Sequence, residues 1–207
     1  ISVNSTAYLD LSEEGKVKTL GNPTEASLLL WLHDKGVNYL EVRNSVKIVD
    51  QLTFSTERKY MATLADSESS GRRILFVKGA PEIIISKCKS VPEGLNELLL
   101  KYQNQAMRTL GFAYAEVSVD SKERIEVLAE KGLNYIGIVA ISDPVRKDVP
   151  DAVARCLSAG IDVKIVTGDT PGTAKEIGRQ IGILTENDGP ECVITGVDFE
   201  ALCDAEA

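Results

Sequence analysis

The stretch Phe76-Val77-Lys78-Gly79-Ala80-Pro81-Glu82 constrains the fold most. An apolar strand, Arg73 to Val77, runs into a single lysine. Gly79 follows, and without a Cβ its backbone can turn sharply or let a ligand come close. Pro81 suits the first helical position, where a missing N–H costs nothing. The stretch therefore predicts a strand handed directly to a helix. It also predicts a cation at the joint beside helix N–H groups, which suits an anionic ligand. A plainer reading stays open on these residues: Lys78 as a solvated strand end and Gly79-Ala80-Pro81 as a turn.

The rest of the first two thirds reads as α+β. Thr6 to Leu11 and Lys16 to Leu20 are candidate strands around a Glu-Glu-Gly turn. At Asn22-Pro23-Thr24-Glu25 a helix begins, with Asn22 as N-cap, Pro23 at N1 and Glu25 at N3 as in a capping box. It runs to about Asp34 and ends at Gly36. Residues 46–55, 58–65 and 72–78 are rich in Val, Ile, Thr, Phe and Tyr and predict an antiparallel meander. Helices are expected at Pro81–Lys87 and Glu93–Thr109. The second of these carries Leu95, Leu98, Leu99, Tyr102 and Ala106 as one core-facing stripe. Gly111–Val117 predicts a strand, Lys122–Lys131 a short surface helix, and Asn134–Ile141 a buried strand.

At Asp143-Pro144-Val145-Arg146 the pattern changes. Pro144 pushes Asp143 out of the helical region, so the chain turns. A helix at Val149–Ser158, a strand at Ile161–Thr167, a helix at Pro171–Ile181 and a strand at Glu191–Ile194 then read as part of a parallel α/β sheet. The tail from Thr195 says little.

The net charge of −8 argues against a nucleic-acid surface, which would show a basic stripe. The four cysteines form no C-x-x-C pair and the only histidine is His33, so no zinc site is expected. Scattered cysteines of this kind fit core packing in a reducing compartment. No apolar run approaches the ~20 residues of a membrane helix, and there is no signal-peptide pattern. The chain begins at Ile1 and reads as a piece of something longer.

Thr167-Gly168-Asp169-Thr170 lies where the predicted parallel strand meets a helix, the usual ligand end of such sheets. Its hydroxyl and N–H groups suit a phosphoryl oxygen, though Asp169 or Thr170 serves equally as a plain N-cap. Phe54-Ser55-Thr56-Glu57-Arg58-Lys59 puts an aromatic ring close to two cations between strands. That pattern could stack a base and hold phosphate, or could be core plus solvent-facing charge. Arg108 falls near the end of the predicted long helix, where a cation is favourable anyway.

Taken in order, these pieces resemble the P-type cation-transporting ATPases, especially the calcium-pump-like type II branch. The residues that carry the resemblance are Asn22-Pro23-Thr24-Glu25, Phe54 through Met61, Lys78-Gly79-Ala80-Pro81-Glu82, Arg108-Thr109-Leu110, Asp143 through Arg146, and Thr167-Gly168-Asp169 with Thr173-Ala174 behind it. The resemblance implies that 1–142 is an α+β nucleotide-binding domain, an antiparallel sheet flanked by helices. It implies that 143–207 is a hinge and part of an α/β, haloacid-dehalogenase-like phosphorylation domain. ATP would be the ligand, ADP its product, and Mg²⁺ would act in the intact parent.

By the same likeness Phe54 stacks on adenine, Lys78 lies deep near the purine with Gly79 beside it, and Glu25 accepts from the adenine amine. Lys59 lines the pocket and Arg108 reaches the phosphates. Thr167, Gly168 and Asp169 meet the γ-phosphoryl end in a supporting role. The partners implied are the membrane and actuator parts of the same chain, at the cytoplasmic face of a membrane, with this piece itself soluble.

The sequence departs from the family pattern in three places. Thr56 stands where an arginine is common, so one phosphate contact is expected either to be weaker or to come from Arg58. Val145 replaces a second hinge proline. No Asp-Lys-Thr-Gly-Thr occurs, so the phosphorylated aspartate lies outside these residues and no turnover is expected from them alone. A stand-alone haloacid-dehalogenase phosphatase would need an Asp-x-Asp, which the chain lacks. A non-catalytic interaction module is the other alternative.

Overall fold

In a computed structural model the chain is described over residues 1–207 except 14–15, 68–70, 106, 131, 143–144, 169–170, 186 and 206–207. It divides into two compact units, 1–99 with 109–141, and 100–108 with 142–207.

The first unit opens with a hairpin, β1 (Tyr8–Glu13) paired antiparallel with β2 (Lys16–Leu20). Helix α1 (Pro23–Asp34) follows, then α2 (Tyr39–Asn44). Asn22 caps α1 as its sequence requires: Oδ1 accepts from the N–H of Thr24 at 2.9 Å and of Glu25 at 3.3 Å. The reciprocal half of the capping box is absent, because the Glu25 carboxylate is used elsewhere. Gly36, at φ +74°, takes the left-handed turn just beyond the helix end. Ala7, Leu9, Ala26, Leu29 and Tyr39 bury one another between hairpin and helices.

The main sheet is five-stranded in the order β3 (Val46–Leu52), β4 (Tyr60–Ser67), β5 (Arg72–Gly79), β6 (Arg108–Val117), β7 (Asn134–Ile141). The β3–β4, β4–β5 and β5–β6 ladders are antiparallel. Alternation sorts its side chains onto two faces. On the first, Tyr60, Ala62, Leu64, Leu75, Val77 and Ala113 form the main core. Helix α3 (Pro81–Lys87) and the single turn α5 (Ile125–Leu128) cover it through Ile84 and Ile125. A Cβ on Gly111 would lie 3.0 Å from the Ile84 Cβ, so the glycine lets α3 sit close.

Several expectations change. The helix predicted over 93–109 is shorter: α4 covers Leu95–Asn104, and Arg108 opens β6. A run of Thr, Phe, Tyr and Val beyond Arg108 has more to gain from pairing with β5 than from extending a helix. Leu95 and Leu99 are buried as the stripe requires, while Leu98 is exposed. Strand β7 is an edge strand, half-buried, with Ile136 exposed.

In the second unit α6 (Val149–Ser158) and α7 (Pro171–Gln180) form where expected, each followed by a left-handed glycine, Gly160 and Gly182. The strand predicted at 161–167 does not form. A parallel strand exists only through its neighbours' hydrogen bonds, and none pairs with it among the described residues. Val166 is consequently 98% exposed. The strand predicted at 191–194 is replaced by a 3₁₀ turn, Pro190–Cys192, leading to α8 (Gly196–Ala205).

Candidate functional site

Alternation along β5 places Lys78 on the second face of the sheet, away from α3. The expected partnership between this lysine and the helix N–H groups is therefore not made. The solvated strand end is not observed either, since Lys78 is only 5% exposed. It lies between two buried cross-strand neighbours, Met61 on β4 and Phe112 on β6.

Its counter-charge comes from α1. Glu25 Oε1 stands 2.7 Å from Lys78 Nζ. Glu25 Oε2 accepts from Thr6 N and Thr6 Oγ1, both at 2.8 Å, from Ala7 N at 3.2 Å and from Ser5 Oγ at 3.3 Å. Burial pushes the Glu25 carboxyl upward, but the ammonium and the Thr6 donors outweigh it and hold it below the usual range. Burial holds the Lys78 amine below its ordinary value, with Glu25 opposing and Arg43 adding to the effect. Close as the ion pair is, Lys78 Nζ has no aligned hydrogen-bond acceptor among the described residues. A buried ammonium with spare donors suits a polar or anionic ligand.

A polar network shares this face with the apolar neighbours of Lys78. Thr63, fully buried, donates to Asn4 Oδ1 at 3.0 Å and accepts from Gln51 Nε2 at 3.0 Å. Asn4 Nδ2 in turn donates to the Phe76 carbonyl at 3.2 Å. Segment 2–7 thus straps α1 to the sheet. Sequence reasoning missed it, since Ser2-Val3-Asn4-Ser5-Thr6 carries no periodicity. A run of small hydroxyl and amide residues before a strand was the only signal.

The β3–β4 connection leaves the sheet at the same end. Leu52 pairs with Ala62, and Ala62 with Val77, so β3 and β5 are two strand spacings apart, roughly 10 Å. Phe54, just past Leu52, is 58% exposed. The loop closes through Lys59 N on the Ser55 carbonyl at 2.8 Å. Lys59, itself exposed, takes a left-handed φ of 58°, and its carbonyl accepts from Ala80 N at 2.9 Å. A Cβ on Gly79 would lie 2.6 Å from the Tyr60 Cα, so only glycine permits this crossing. Arg58 turns back to brace its own loop, with Nη2 on the Thr53 carbonyl at 2.7 Å.

The first unit therefore brings Glu25 to Lys78, and Lys59 to Gly79, with Phe54 in a loop at that sheet end. Arg108, Thr167 and Gly168 fall in the second unit, and Asp169 lies outside the described residues. Two grooves of about 400 and 380 Å³ lie elsewhere, one along Lys89–Pro92 and Leu133–Tyr135, the other among Leu11, His33 and Gly36–Leu40. Neither is lined by Phe54 or Lys78. Among the described residues no cluster of His, Cys, Asp or Glu is placed to hold a metal ion, and no helix is long and apolar enough to cross a membrane.

Residues 1–148 match the family described as P-type ATPase, cytoplasmic domain N. The chain is 38% identical over its whole length to "Calcium-transporting ATPase PAT1" of Dictyostelium discoideum, covering 19% of that protein. It is 35% identical over 98% of its length to "Plasma membrane calcium-transporting ATPase 4" of Homo sapiens, covering 18%. It is also 35% identical over 94% of its length to "Calcium-transporting ATPase 1" of Lactococcus lactis, covering 23%. The chain thus spans about a fifth of the length of these relatives.

Proposed function

This chain belongs to the P-type ATPases through their cytoplasmic domain N, and on that premise we propose that it binds ATP at the Lys78 end of its main sheet. The observation that carries this reading is the buried Lys78 ammonium, 5% exposed and 2.7 Å from Glu25 Oε1, with no further acceptor among the described residues. It lies at the sheet end where the exposed Phe54 leaves β3. A ring face offers stacking to a purine and a nearby ammonium adds attraction. Glu25 accepts from the adenine amine, Lys59 and Gly79 line the entrance, and Arg108 takes the phosphates as a planar fork.

Residues 1–142 then act as the nucleotide-binding domain, and 143–207 as a hinge and part of a haloacid-dehalogenase-like phosphorylation domain. The exposed Ile161, Ile165 and Val166 support the latter, since they suit a strand that gains its neighbours from outside these residues. Thr167, Gly168 and Asp169 would meet the γ-phosphoryl group, with Mg²⁺ supplying charge neutralisation in the complete protein. An aspartate outside these residues would take the phosphoryl group. The parent would thereby couple ATP hydrolysis to cation transport from the cytoplasmic face of a membrane. The names of the relatives favour calcium. The isolated chain, without that aspartate, is expected not to turn over ATP.

The test is amide NMR of the chain titrated with ATP. The reading expects shifts concentrated at Phe54, Lys59, Gly79 and the start of α1. No shifts at millimolar ATP, or shifts confined to the groove at Lys89–Pro92, would reject it.

A further inference from the structure

Arg43 has no role in the reading above, yet its guanidinium holds two backbone carbonyls and two tyrosine rings, with Nη1 buried and unpartnered among the described residues. It projects from α2 and donates through Nε to the Ser2 carbonyl at 2.9 Å and through Nη2 to the Ala7 carbonyl at 3.1 Å. Its guanidinium carbon stands 4.7 Å from the Tyr8 ring centre and 5.1 Å from that of Tyr39. Tyr39 is itself pinned, its hydroxyl accepting from Leu9 N at 2.9 Å. No carboxylate pairs with Arg43 among the described residues.

The backbone between those two carbonyls is the strap whose donors serve Glu25. Arg43 takes its acceptors at Ser2 and Ala7, and Glu25 takes its donors at Thr6 and Ala7. The two side chains grip one short segment from two different helices. Charge does not explain the pairing, because Arg43 disfavours the nearby ammonium of Lys78. Geometry does. A planar fork spans two carbonyls at fixed spacing, which a lysine cannot do.

We propose that Arg43 is a positioning residue for the nucleotide site: by holding both ends of segment 2–7 it keeps the Thr6 and Ala7 N–H groups on Glu25 Oε2, and so keeps Glu25 Oε1 on Lys78. The link to nucleotide rests on the reading given under Proposed function. The link to Glu25 does not.

The experiment follows the Glu25 carboxyl by carbon-13 NMR through an acid titration of the chain, beside calorimetric ATP binding. It compares wild type, Arg43→Lys and Arg43→Gln, with folding checked by circular dichroism. The charged groups acting on Lys78 are Glu25 from α1 and Arg43 from α2; the Ile1 amine, lowered to about 6 by burial, Lys78 and Arg43, is common to all three proteins. In Arg43→Lys the charge remains and the fork is lost. The Glu25 midpoint should rise by roughly half a pH unit or more, as donors to the carboxylate slacken, and ATP binding should weaken severalfold.

A wild-type midpoint in Arg43→Lys overturns the proposal, and so does a shift seen only in Arg43→Gln, which would be charge alone. If neither variant folds, amide exchange in the wild type decides. Thr6 and Ala7 should exchange as slowly as the β4 core, and exchange at an exposed-loop rate overturns the strap's role. If wild type fails to bind ATP while Arg43→Lys still moves Glu25, the nucleotide reading falls and the positioning stands.

Discussion

Lys78 Nζ and Glu25 Oε1, 2.7 Å apart, join the central sheet to the first helix in a place where their side chains are 5% and 10% exposed. Removing one partner leaves the other charge sealed away from water, which typically costs about 3–5 kcal/mol. Glu25→Gln should therefore lower the unfolding free energy by about 3 kcal/mol. The double variant Glu25→Gln with Lys78→Met should recover much of that loss. Urea denaturation of the three proteins measures both.

The same pair sets an acid limb. The Glu25 carboxyl lies below its ordinary range in the folded chain, so the folded state binds fewer protons than the unfolded one near the unfolded value of about 4.3. Its stabilising contribution is complete above that value and is lost as pH falls through the lower folded value. Urea midpoints measured from pH 7 downward should drop in the wild type below about pH 4.3 and drop less steeply in Glu25→Gln.

The crossing of Gly79 over Tyr60 predicts a steric failure. An added Cβ would lie 2.6 Å from both the Cα and the Cβ of Tyr60 and would also press on the Lys59 carbonyl. Neither backbone can yield without breaking the Ala80–Lys59 hydrogen bond. Gly79→Ala should cost about 1–3 kcal/mol or more. Gly137→Ala, where a Cβ meets nothing within 4 Å, should be nearly neutral in the same thermal or urea assay.

Asn22 supplies a side-chain cap to α1, and through it the register of Glu25. Asn22→Ala should cost about 1 kcal/mol, and Asn22→Ser should restore most of it. Melting curves of the two variants check this.

Much of the first unit was legible in the sequence because its signals are local. Asn22-Pro23 fixes a helix start, Pro81 fixes another, and the β-branched runs on either side of the polar stretch 66–71 declare a meander. Arg108 was misplaced because the leucine stripe of α4 gives no stop signal before Arg108, and the demand for a partner beside β5 is a tertiary one. Segment 161–167 was expected as a strand from its own residues, but a strand is a property of pairs and this one finds none among the described residues. The site was half legible. The strand–glycine–proline pattern singled out Lys78, and the family resemblance singled out Glu25, yet nothing local says that an N3 glutamate will leave its capping box for a lysine on another element, or that Arg43 will hold the backbone between them.

The exposed ring of Phe54 allows the most direct test, because removing it should leave stability unchanged while removing the stacking surface. Base–aromatic stacking is worth about 1–3 kcal/mol per base. Calorimetric titration of ATP into the wild type and Phe54→Ala should therefore give saturable binding to the first and a loss of about 1–3 kcal/mol in the second, at equal melting temperature. Equal affinity in the two folded proteins, or no binding to either, would contradict an ATP site at this end of the sheet.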